Sequence, residues 1–172
     1  MVNFLKSIGG IIIGIGIFLG IIFLAIFFIK GGVWLGGIVL PWLSIIMWLV
    51  FILNVIIFLP LGMFIKTRSV SAFGFVISSY VYGLTLWVWA LLLTYLIWGT
   101  RAVFIGLFIA GIGVVPIAIL ATALNGEWVI TGQIILLLIL SFGSRILGYH
   151  FAEKAEESFK KDDIKEVEGE EI

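Results

Sequence analysis

Five uninterrupted apolar stretches, each long enough to cross a bilayer as a helix, constrain this chain more than any other feature. They run over Ile8–Ile29, Ile38–Phe64, Phe73–Trp98, Ala102–Leu124 and Trp128–Tyr149. A hydrocarbon layer of about 30 Å takes about 20 helical residues. The separators Lys30–Gly37, Ile65–Ala72, Gly99–Arg101 and Asn125–Glu127 are short, and they hold the Gly, Lys, Arg, Thr, Ser and Asn that the stretches mostly lack. Lipid offers no hydrogen-bond partner to a backbone amide, so only helices and closed barrels span it. Barrel strands need polar and apolar residues to alternate over about 10 residues, and these runs do not alternate. The expected fold is an all-α integral membrane protein, a bundle of five transmembrane helices over residues 1–149, with a charged, cytoplasmic C-terminal tail over 150–172.

Composition excludes the soluble alternatives. The 172 residues are 63% hydrophobic and 12% charged, against about 25% charged in a soluble domain. A core of this size cannot hide that much apolar surface, so lipid must solvate most of it. Net charge is zero, and nine of the ten acidic residues lie in Glu153–Glu171, Glu127 being the exception. No basic face with interleaved aromatics is present, so nucleic acid is not an expected partner. There is no cysteine, which removes disulfides, thiolate metal sites, a Cys nucleophile and S-acylation. The single histidine, His150, cannot build a multi-His metal centre. Val2 stands where myristoylation needs glycine. The first apolar stretch is too long for a cleaved signal and no small-x-small site follows it, so a retained helix is expected. With the short loops, this points to the plasma (inner) membrane of a bacterium or archaeon.

The Lys/Arg balance gives two topologies. Five crossings with the C-terminus inside put seven basic residues inside and Lys6, Lys66 and Arg68 outside. The alternative is four crossings plus a re-entrant segment at 102–124, whose centre holds Gly111, Gly113 and the helix-breaking Pro116. Both termini then lie inside, with eight basic residues inside and only Lys30 and Arg101 outside. Trp34, Trp98 and Trp128 would share one interface, as an aromatic belt prefers.

Helices associate in lipid through small residues and hydrogen bonds. In the first stretch, Gly9, Gly16 and Gly20 fall within about 40° on a helical wheel, and Gly10 and Gly14 form a GxxxG pair on a second face. In the fourth, Ala102, Gly106, Ala110 and Gly113 make another flat ridge. These are expected helix-packing positions, within the chain or toward a homo-oligomer or larger membrane complex. The third stretch carries Ser71, Gly74, Ser78, Tyr82 and Thr85 on one face, a pattern read as packing or as the lining of a polar path.

The candidate intramembrane polar site is Asn54, Gln133, Ser141, Ser144 and Arg145. Asn54 lies deep in the second stretch, with Pro41 and Pro60 on either side. An ionisable residue inside a span marks a candidate site, although an arginine one turn from the end also snorkels to the interface. Past Tyr149, Glu156–Lys160 and Glu157–Lys161 are spaced to extend the last helix, with Phe151, Ala155 and Phe159 as an apolar stripe; beyond Asp162 the acidic tail is expected to be disordered. No catalytic residue, metal ligand or cofactor site is expected, because the spans hold no Ser/His/Asp set and no paired carboxylates. The functional expectation is a non-enzymatic helix-packing or membrane-complex protein. The alternative is a small channel or transporter for an anion or neutral solute.

Overall fold

The computed structural model describes residues 2–64, 67–109, 111 and 113–170. The described chain is all-helical: α1 (Val2–Leu53), a π-helical turn (Asn54–Phe58), α2 (Leu59–Met63), α3 (Arg68–Phe108), α4 (Val114–Leu124) and α5 (Trp128–Glu170). Among the described residues, three helical stretches are long and apolar enough to cross a membrane: Gly14–Met63, Arg68–Phe108 and Trp128–Ser158. Two of the expected boundaries differ from the sequence reading. The first two apolar stretches run together as one rod, because the Lys30–Gly37 separator is helical. The fourth is divided between the end of α3 and the short α4.

Helix α3 is the centre of the bundle. Small residues let both neighbours reach its backbone. On one side, Gly36 of α1 packs on Val88 and Leu92, Asn54 meets Ser78 and Tyr82, and Gly62 meets Ser71. Residue numbers fall on one helix as they rise on the other, so α1 and α3 are antiparallel. On the other side, Ser141 of α5 donates to the Ser79 carbonyl at 3.1 Å, and Gly148 seats against Ala72 and Val76. Helices α3 and α5 are therefore antiparallel too, and Trp98 and Trp128 lie at the same end.

Pro60 explains the π turn. Its ring crowds the carbonyl four residues back and it has no N–H to offer. The helix widens just before it, and Leu59 N–H reaches the Asn54 carbonyl five residues away. The turn after α2 is closed by side chains. Thr67 Oγ1 donates to the Leu61 carbonyl at 2.8 Å, and Arg68 Nε to the Gly62 carbonyl at 3.3 Å. Orphan carbonyls at a helix end attract such cations.

Gly99 breaks α3 with φ +75° and ψ −168°, a backbone open to glycine alone. Past that break the chain turns back. The Trp87 indole N–H donates to the Gly111 carbonyl at 2.9 Å. A straight helix would hold those residues about 36 Å apart. Val114 then packs on Gly106, and Thr122 and Thr131 share a 2.8 Å hydrogen bond. The segment between Gly99 and Glu127 thus leaves and returns at one end of the α3/α5 pair.

The last helix outruns its expected end. Residues beyond Asp162, expected from sequence to be a disordered tail, continue α5 to Glu170. Charged residues that form helices well fill this stretch. Phe151 lies on Gly62 and against the Phe75 ring, 5.8 Å between centroids, and Ala155 is buried. The extension is therefore anchored to the bundle at its start.

Candidate functional site

A buried polar cluster is built at the π turn. The wider turn carries Asn54 inward, where it is buried. Its Nδ2 donates to the Tyr82 hydroxyl at 2.9 Å, and its Oδ1 accepts from Ser78 Oγ at 2.8 Å. Ser78 also reaches the Gly74 carbonyl at 2.7 Å. Gly74 leaves room for the Phe58 ring, which a Cβ would meet at 2.5 Å. Ser71 donates to the Phe58 carbonyl. The five-residue stripe of α3 is thus buried along its whole length; Ser71, Ser78 and Tyr82 bond to the π turn, and Thr85 to the Val81 carbonyl of its own helix.

The five candidate polar residues do not assemble into one site. Asn54 and Ser144 line one cavity of about 230 Å³ together with Tyr82. Gln133 is exposed and lines a second cavity of about 490 Å³ with Ser44 and Thr85. Ser141 is held by the Ser79 carbonyl. Arg145 lies half-buried with its guanidinium 5.0 Å above the Tyr80 ring, a cation–π contact that gives the charge a partner. The two cavities follow one another along a groove between α1 and α5, floored by α3.

The packing glycines divide in the same way. A Cβ on Gly14, Gly16 or Gly20 would meet nothing within 4 Å among the described residues, although Gly20 borders a cavity it shares with Phe104 and Leu107. The contacts of Gly9 and Gly10 lie outside the described residues. Gly106 and Gly113 pack inside the fold beyond Gly99: a Cβ on Gly113 would stand 2.9 Å from the Gly106 carbonyl. Ala110 of that ridge lies outside the described residues.

Two residues carry more than their sequence context signals. Tyr82 reads from sequence as one of a stripe of hydroxyls, yet it is fully buried and is the partner of Asn54. Pro60, six residues from Asn54, is the local signal for a widened turn. Arg68 counts in the sequence only as a charge, yet it bridges the Gly62 and Lys154 carbonyls, the second at 3.4 Å. Nothing local to Arg68 points to a contact on α5.

Chemically, the cluster offers hydroxyls and one amide bonded to one another. Among the described residues no group of three or more His, Cys, Asp or Glu is placed to hold a metal ion. No family model matches the chain, and neither does any curated protein or solved structure. Architecture and site together define a class, an all-α chain with helices long and apolar enough for a membrane.

Proposed function

We propose that this chain is a non-enzymatic, multi-pass membrane protein whose role is to pack, as a bundle that associates with copies of itself or with a larger membrane complex. The observation that carries this reading is the use made of its polar side chains. Among the described residues no buried side-chain polar atom lacks a hydrogen-bond partner. Asn54, Ser78, Tyr82 and Ser141 are engaged in joining helices, and Arg145 is covered by Tyr80. The open face of α1 at Gly14 supplies the surface for association.

The topology that goes with it divides the rod at Lys30–Gly37 into two crossings, which with α3 and α5 make four, and has a re-entrant segment at 102–124 and both termini inside. Trp34, Trp98 and Trp128 then share one interface, and eight of ten basic residues lie on the other side. The membrane proposed is the plasma (inner) membrane of a bacterium or archaeon.

Cross-linking in native membranes, followed by sizing in mild detergent, tests the function. The expected product is a homo-oligomer or a defined complex that Gly14→Leu disrupts. A monomer that also conducts solutes in liposomes would sink the proposal. It would favour a channel or transporter for an anion or neutral solute, for which the α1–α5 groove with Gln133, Ser44 and Thr85 is the supporting feature.

A further inference from the structure

The rod formed by α1, the π turn and α2 is too long for the layer it must occupy. Gly14–Met63 is 50 residues of apolar helix, about 75 Å at 1.5 Å per residue. The hydrocarbon layer is about 30 Å thick. The second half of the rod lies along α3, with Gly36 level with Val88 and Leu92 and Gly62 level with Ser71. The arm before Lys30 therefore extends past the α3–α5 contact, with only the end of α3 (Phe104, Leu107 and Phe108) loosely beside it across a cavity. Its side chains are apolar and uncovered: Phe18, Ile21, Phe23, Leu24, Phe27 and Phe28 are 62–75% exposed. A bundle set upright in lipid would push this arm out into headgroups and water.

The sequence places a weak point where the bend is needed. Lys30-Gly31-Gly32 and Gly36-Gly37 bracket Val33, Trp34 and Leu35. Each glycine lowers helix propensity by about 1 kcal/mol, and a Cβ on Gly31, Gly32 or Gly37 would meet nothing within 4 Å, so packing within that stretch falls on Val33 and Gly36. Lys30 is exposed and suited to an interface. Bending gives up the buried Ile29 and the loose apposition of Ile17, Ile21 and Leu24 to Phe104 and Leu107. It covers the six exposed ones with lipid or protein, and this balance decides the direction.

We infer that residues 14–29 are a hinged arm that, in a bilayer, folds back about Lys30–Gly37 as a separate crossing and seats in the groove between α1 and α5. The groove has the right place and length. Its two cavities run from Ser44 and Gln133 to Leu59 and Leu147 along α3. A fold centred between Val33 and Trp34 sets Phe23 beside Ser44, which shares its cavity with Gln133. The arm's Gly16 and Gly20 permit the close approach that a narrow groove requires. This inference rests on the proposed membrane-spanning role.

The test uses the full chain, which has no native cysteine. Spin labels at Phe18→Cys and Leu49→Cys, in liposomes, report the bend. Those residues stand about 47 Å apart on a straight helix. Neighbouring antiparallel helices bring them under about 20 Å, labels included. In parallel, a Phe23→Cys/Gln133→Cys pair is offered a short bifunctional thiol cross-linker, beside a Leu24→Cys/Phe108→Cys pair, which shares a cavity when the rod is straight. The expected result is the short distance with cross-linking of Phe23→Cys to Gln133→Cys. The long distance, or cross-linking confined to the Leu24/Phe108 pair, overturns the inference. So does a short distance without the Phe23–Gln133 product, because the arm then seats elsewhere. Carbonate extraction of the same membranes separates the two failures: a released chain defeats the membrane reading, whereas a retained chain with the long distance defeats the hinge and the four-crossing topology but leaves the membrane reading standing.

Discussion

At Asn54, one amide reports how polar side chains are used inside this bundle. It spends its donor on Tyr82 and its acceptor on Ser78. Interhelical hydrogen bonds of this kind contribute about 0.6 kcal/mol on average and up to about 1.7. Tyr82→Phe removes the acceptor and leaves the Asn54 amide without it. We expect a loss of stability toward the upper end of that range, read as an earlier unfolding midpoint in mixed detergent micelles. Ser141→Ala should cost less, because its 3.1 Å bond lies at a less buried site. Equal and negligible effects from both would contradict the packing role of the cluster. The helical wheel made the stripe from Ser71 to Thr85 legible as one face. It did not identify its partner, because nothing in the third apolar stretch encodes which helix lies opposite.

Glycines separate two reasons for a missing side chain at the scale of the helical element. At Gly148 the backbone is ordinary and space is the limit: a Cβ would stand 2.8 Å from Val76 and 3.1 Å from the Ala72 carbonyl. At Gly99 there is space within 4 Å but φ is +75°. Gly148→Val should part α3 from α5 at a cost of about 1–3 kcal/mol for overpacking. Gly99→Ala should cost about 1–3 kcal/mol for backbone strain, or straighten α3 and release the Trp87–Gly111 bond. Tryptophan fluorescence distinguishes the two, since only the second outcome frees the Trp87 indole. Gly132→Ala, where a Cβ meets nothing, serves as the neutral comparison. If Gly148→Val is as neutral as Gly132→Ala, Gly148 does not sit at a close α3–α5 contact. None of this was visible from glycine content alone, because the same residue serves both purposes and the difference lies in the neighbours.

For the molecule as a whole, the path of residues 99–127 sets how many times the chain crosses. Because α3 and α5 are antiparallel and the segment between them folds back on Trp87, both of its ends lie together. Single cysteines at Thr100 and Asn125 should therefore label alike with an impermeant thiol reagent in intact cells, and, with the rod divided at Lys30–Gly37, cysteines at Ser7 and Ser158 should both be protected. Opposite labelling of Thr100 and Asn125 would return the chain to five full crossings. The apolar stretches by themselves determined that the chain is helical and suited to lipid, because backbone amides in hydrocarbon have no other solution and stretch length is set by bilayer thickness. They could not decide how the stretches join. Hydrophobicity is a one-dimensional quantity, equal for a helix that continues, one that turns back and one that breaks. Which of these occurs depends on contacts between residues far apart in the chain. Trp87 with Gly111, Asn54 with Tyr82 and Arg68 with Lys154 are such contacts, and only the tertiary structure brought them together.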